Sequence, residues 1–180
     1  MLQARGAALI DADAIARTST APEGAAIPAI RTRFGAEFLT PTGALDRDNM
    51  RTLAFSDASA KHALEAIVHP LVTKEIEIQF QAAQAAGISC VVFDIPLLAE
   101  SGHWRGKLDH ILVIDCLVST QIARTVARSQ LSEEAVRQII RTQASREQRL
   151  ALADTVIYNE GLSLDQLRQQ VEQIAPYFGL

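Results

Sequence analysis

The sequence predicts an α/β domain built on a parallel sheet, and three observations carry that prediction. Four short apolar runs, 7–10, 88–93, 111–115 and 155–157, lack polar alternation, as strands covered on both faces do. Helical patterns with clear start signals lie between them, the order that a parallel sheet produces. A mostly helical stretch, roughly 22–86, is inserted between the first two runs.

Each element has its own signal. A short helix is expected over 14–18, directly after the first run. Asp46 is placed to cap another that runs toward Phe55, because a carboxylate there accepts an orphan backbone N–H. Residues 56–67 give a third helix. His69 and Pro70 open a fourth, with proline at the first helical position, and Gly87 stops it. Ser145 with Gln148, and Ser163 with Gln166, match the capping box. Glu133 and Glu134 follow Ser132 and place acids in a first turn, where the helix dipole favours them. There is no internal repeat, low-complexity segment or linker, so the 180 residues are expected to form a single domain.

Composition narrows the function. Apolar residues are 48% of the chain and aromatics 5%, so the core is Ala, Leu, Ile and Val. A net charge of −4 supplies no global basic field for bulk nucleic-acid binding. No run approaches the length of about 18 apolar residues that a membrane span needs. The first residues carry no signal-peptide pattern. Cys90 and Cys116 each sit in an apolar run and read as buried thiols of a reducing compartment. A cytoplasmic protein is expected.

Two groups of residues could carry chemistry. Asp11 and Asp13 stand at the carboxyl end of the first strand, the edge where open α/β sheets bind ligands. If a helix starts at Asp13, that residue could be only its cap; the functional reading is a general base or a metal-side carboxylate. Asp94 ends the second strand at the same kind of edge, with Leu97 and Leu98 beyond Pro96 as possible pocket walls. His69 could be no more than part of a capping pair, and Arg47 a helix-start residue that also offers a guanidinium to a ligand.

The second group is arginine. Of 17 basic residues, only Lys61, Lys74 and Lys107 are lysine, and six arginines fall within 124–149. Arg124 with Arg128, Arg137 with Arg141, and Arg146 with Arg149 each share a helix face. The plain reading is a solvated basic face in an arginine-rich protein. The sharper reading is a helical flap over polyphosphate, since guanidinium forks suit bidentate phosphate contacts.

The segments IDADAIAR, LDR, HPL and DIPLLAE, then Arg128, then QASREQRLALADTVIYNEG, come in the order and spacing of dephospho-coenzyme A kinases. The chain resembles that family from Gly6 to about Gln173. The resemblance implies a three-layer P-loop kinase-like parallel sheet, with a helical acceptor-binding insertion over 19–86 and a helical lid over 118–150. It implies transfer of the γ-phosphoryl group of ATP, with Mg2+, to the ribose 3′-hydroxyl of dephospho-coenzyme A, the last step of coenzyme A synthesis. The partners it implies are these small molecules, with no nucleic acid or membrane. Asp13 would accept the hydroxyl proton beside Asp11. Arg17, His69, Leu97, Leu98, Glu100 and Arg47 would line the coenzyme A side. Arg128, Gln143, Arg146 and Arg149 would reach the phosphates, and Asn159 would lie by the adenine.

The sequence departs from the family at one point. It contains no G-x-x-x-x-G-K-[ST], the loop that cradles phosphates and supplies a lysine and a Mg2+-binding hydroxyl. The expectation is a chain that lacks the first strand, the loop and most of the first helix, through a miscalled start or a damaged gene, and that is inactive by itself. In the family's strand order 2-3-1-4-5, strand 1 is central, so pairing should break between the runs 88–93 and 111–115. The competing readings are a non-catalytic remnant that binds coenzyme A-like ligands, and a nucleoside monophosphate kinase relative.

Overall fold

Each of the four apolar runs overlaps a strand of four residues, three of which extend one residue past the run: β1 (Ala8–Asp11), β2 (Val91–Asp94), β3 (Leu112–Asp115) and β4 (Thr155–Tyr158). The computed structural model describes residues 1–101, 104–129 and 131–180. Among these, β1 pairs with β2 and β3 with β4, both in parallel, as two separate two-stranded sheets. One expectation is corrected. The strands are not covered on both faces, for Leu9, Ile114 and Val156 are 43%, 52% and 44% exposed. Faces are covered by what packs over them, and the helices at Ala12–Ser19 and Ala58–Ala85 that pack on the β1–β2 pair leave Leu9 uncovered.

The chain divides into two compact units, Leu2–Ile95 and Pro96–Gly179. The first holds β1, α1 (Ala12–Ser19), α2 (Ile27–Phe34), α3 (Arg47–Ser56), α4 (Ala58–Ala85) and β2. Helices α1 and α4 pack on each other and on the β1–β2 pair. Ala26, Ile30, Leu45 and Met50 form the buried centre of the inserted helices, with Leu64, Ile67 and Leu71 of α4 against it. Gly24 allows the chain to turn back on α1, because a Cβ there would stand 2.3 Å from the Ser19 carbonyl oxygen.

Helix α4 corrects a second expectation. Residues 56–67 and the segment from His69 are not two helices. Ser56 ends α3 and Asp57 caps α4, and from Ala58 one helix of 28 residues runs through both, with Pro70 inside it. An interior proline costs about 3 kcal/mol through a lost hydrogen bond and a clash with the preceding turn. The apolar stripe outweighs that cost, because Leu64, Ile67, Val68 and Leu71 pack on one core from both sides of the proline. The C-terminal stop is as expected, with Gly87 at φ +71 just past the helix.

The second unit holds α5 (Leu98–Ser101), β3, α6 (Val118–Ser129), α7 (Glu133–Thr142), α8 (Arg146–Leu152), β4 and α9 (Leu164–Ile174). Its helix starts follow the sequence closely. Ser132 caps α7, and Ser145 and Ser163 form complete capping boxes with Gln148 and Gln166. Asp154 ties the start of β3 to the start of β4. Its carboxylate accepts both guanidinium donors of Arg105, at 2.6 and 2.9 Å, and the Ile111 backbone N–H at 2.8 Å. These bonds hold the Asp154 carboxyl well below the usual carboxylate range, the Arg105 fork being the main cause. Cys116 is buried, Cys90 half-buried, and both are free thiols.

Candidate active site

In the first unit, the carboxyl ends of β1 and β2 bring acids together, because Asp11 and Asp94 are register partners. Asp11 is the cap of α1: its Oδ1 accepts the Ala14 N–H at 2.8 Å. Asp13 lies in the first turn of the same helix and is exposed. The cap reading of Asp13 is thereby corrected: the helix starts at Ala12, earlier than the sequence suggested, so the cap is Asp11. Asp11 spends its carboxylate on a backbone donor and on Arg17, whose Nη2 stands 3.7 Å from Oδ2. The Asp13 side chain makes no hydrogen bond or ion pair among the described residues.

Other expected residues of this unit have separate places. Arg47 opens α3 and donates from Nη2 to the Thr20 hydroxyl at 3.0 Å, which ties it to the end of α1. His69 stands exposed in the middle of α4. An open groove of about 630 Å3 lies between α2 and α4, lined by Pro28, Arg33, Ala63 and Ile67 among others. It contains none of the residues expected to do chemistry, and a single arginine among small apolar groups supplies no acid–base pair.

In the second unit, the carboxyl ends of β3 and β4 gather the arginine chemistry. Asp115 and Tyr158 are register partners there. Arg146, the first residue of α8, donates from Nε to both Asp115 oxygens at 3.0 Å and from Nη2 to Oδ2 at 2.5 Å. Its guanidinium lies 6.0 Å from the Tyr158 ring centre. The Arg146 fork holds the Asp115 carboxyl below the usual carboxylate range. Asn159 sits at the same edge, its backbone N–H donating to the Asp115 carbonyl at 2.7 Å.

The lid residues divide in two. Arg137 and Arg141 are paired with Glu133 and Glu134 on the surface of α7, which is the plain reading of a solvated face. Arg149 donates from Nη1 to the Ala144 carbonyl at 2.6 Å and so braces the start of α8. Gln143 is the exposed residue that ends α7, and Arg128 is exposed in the last turn of α6. Gln130, inside the expected lid segment, lies outside the described residues.

The loop after β2 holds Leu97 at φ +58, a left-handed conformation that leucine rarely adopts. Leu97 is 52% exposed and Leu98 half-buried. Glu100 accepts the Ala144 N–H at 2.6 Å.

Sequence reasoning missed Asp115 and Tyr158 as site residues. A signal for Asp115 was present: β1, β2 and β3 each end in aspartate, at Asp11, Asp94 and Asp115. No group of three or more His, Cys, Asp or Glu side chains among the described residues is arranged to hold a metal ion. No helix is long and apolar enough to cross a membrane among them.

The family model and the curated relatives name one family. The family model CoaE, dephospho-CoA kinase, matches residues 1–165. The chain is 52% identical over 180 residues to a dephospho-CoA kinase of Albidiferax ferrireducens, covering 100% of this chain and 85% of that protein. It is 50% identical over 168 residues to one of Burkholderia thailandensis, covering 93% and 81%. Among solved structures it is similar to TT1252 from Thermus thermophilus, with a TM-score of 0.78 and 31% identity over 98% of this chain and 87% of that one. It is also similar to dephospho-CoA kinase from Campylobacter jejuni, with a TM-score of 0.66 and 26% identity over 99% and 89%.

Proposed function

The chain belongs to the dephospho-CoA kinase family, and on that premise we propose that its residues carry the ATP-dependent phosphorylation of the ribose 3′-hydroxyl of dephospho-coenzyme A. The observation that carries the assignment of roles is the division between Asp11 and Asp13. The first caps a helix and the second, two residues on, is exposed and unengaged. Asp13 accepts the hydroxyl proton as the phosphoryl group arrives. General-base help of this kind is worth about 10²–10⁴ in rate. Arg17, Arg47, His69, Leu97, Leu98 and Glu100 serve the acceptor, with the helical segment 19–86 as its cradle.

Phosphoryl transfer needs positioning and charge neutralisation more than covalent help. Arg146 meets the polyphosphate, with Arg128, Arg149 and Gln143 of the lid segment 118–150, and Asn159 lies by the adenine. Mg2+ travels with nucleotide phosphates and takes only one or two protein carboxylates. Asp11 and Asp13 are carboxylates of that kind. The 180 residues contain no G-x-x-x-x-G-K-[ST]. That motif supplies a backbone cradle, a lysine and a metal-binding hydroxyl, and without them the 180-residue chain alone is expected not to turn over.

The test compares the 180-residue chain with a version extended at its N-terminus by a strand, a G-x-x-x-x-G-K-[ST] loop and a helix start. ADP formation is measured with dephospho-coenzyme A, AMP or UMP as acceptor. The expected result is turnover only in the loop-bearing version and only with dephospho-coenzyme A, giving a 3′-phosphorylated product. Preference for AMP or UMP, or binding of dephospho-coenzyme A without turnover in that version, overturns the proposal.

A further inference from the structure

We propose that Asp115 is a positioning residue for Arg146: it grips the guanidinium side-on, so that the Nη1 edge faces outward for a phosphate. The inference rests on the reading above that Arg146 meets polyphosphate, and it concerns what aims that side chain.

Three features favour a fixed grip. Asp115 is 3% exposed and ends a strand, so its carboxylate cannot follow a moving helix. Its own carbonyl is held by the Asn159 N–H, and its neighbour across the ladder is Tyr158, whose ring lies under the Arg146 guanidinium. The bonds to Arg146 use Nε and Nη2. Nη1 has no partner among the described residues, and the Arg146 side chain is 39% exposed. An anion can therefore approach the outer edge while the inner edge stays bound. A guanidinium presents its donors in one rigid plane, so fixing one edge aims the other.

The backbone under Arg146 is braced as well. Ser145 and Gln148 close a capping box at the start of α8. Glu100 holds the Ala144 N–H and Arg149 the Ala144 carbonyl. A long side chain rising from a fixed backbone and gripped near its end loses little further freedom on binding, and preorganisation of this kind appears as affinity.

The charge argument runs the other way and makes the proposal testable. If Asp115 were only a competing anion, its removal would tighten phosphate binding. The experiment titrates inorganic tripolyphosphate into the 180-residue chain by calorimetry, with Asp115→Asn, Arg146→Ala and the double variant. Melting temperatures are measured alongside. Asp115→Asn is expected to weaken binding about tenfold, within the range of coupling between contacting residues. It is expected to add nothing in the Arg146→Ala background, where a loss of fold would still add. Arg146→Lys keeps the charge without the fork and is expected to bind as weakly as Asp115→Asn.

The outcomes separate the two claims. If the wild-type chain does not bind, or Arg146→Ala binds as the wild type does, the phosphate role of Arg146 fails. If Arg146→Ala weakens binding while Asp115→Asn leaves it unchanged or tightens it, the positioning role alone fails. Should Asp115→Asn not fold, the wild-type Arg146 Nε–H signal decides by NMR. It should persist unmoved at saturating tripolyphosphate, and its collapse to the solvent-exposed arginine position overturns the grip.

Discussion

Glu100 Oε1 accepts the backbone N–H of Ala144 at 2.6 Å, across 44 residues of sequence. One end of this bond is the loop after β2 and the other is the turn that launches α8. The bond is exposed, so its net worth is that of an ordinary hydrogen bond to a charged acceptor. Glu100→Ala should speed hydrogen exchange at the Ala144 amide about 2- to 10-fold, the range that a hydrogen bond of modest net strength allows. Glu100→Gln, which keeps a carbonyl acceptor, should restore part of the protection. Unchanged exchange in Glu100→Ala would show that the turn is held by other contacts.

Asp13→Asn removes the proposed proton acceptor and leaves the Asp11 cap of α1 in place. In a loop-bearing version that turns over, kcat should fall by about 10²–10⁴. ATP affinity should change little, because the substitution is isosteric and α1 keeps its cap. A kcat within twofold of wild type removes Asp13 from the reaction.

Pro70→Ala restores a backbone donor inside α4 and relieves the ring's clash with the preceding turn. Since packing already holds that segment helical, the gain should appear as stability, about 1–3 kcal/mol in urea unfolding. A lower midpoint would mean that the bend imposed by the ring is itself required by the Leu64, Ile67 and Leu71 contacts.

Asp154 and Asp115 give the second unit a dependence on acid. Both folded-state carboxyls are held below the usual range, chiefly by the Arg105 and Arg146 forks. A carboxyl depressed in the folded state contributes stability above its unfolded pKa and loses it as pH falls through the folded pKa. The thermal midpoint should therefore be flat near neutrality and fall progressively below about pH 5. Asp154→Asn should lower the neutral-pH midpoint and make the acid fall shallower. A midpoint equal to wild type at every pH would mean that the Arg105 pair contributes nothing.

The parts of the fold that were legible were the local ones. Asp46, Ser145 and Ser163 all cap the helices the sequence assigned to them. Each of these bonds closes within three residues, so the residue types and their spacing suffice. The strands were legible because runs such as Val91–Asp94 and Leu112–Asp115 are apolar and short. Pro70 was misjudged because its helix is continued by distant packing, and propensity loses to that.

The candidate site divides along the same line. By itself the sequence determined the family, the paired aspartates after the first strand and the arginine-rich helices, all of which are matters of residue type and spacing. Only the tertiary structure decided which of those charges are spent. Asp11 caps a helix, Arg137 and Arg141 pair along α7, and Arg146 reaches Asp115 across 31 residues. A charge's role depends on what stands within about 4 Å of it, where Coulomb energy and hydrogen bonding are decided, and chain separation carries no record of that distance.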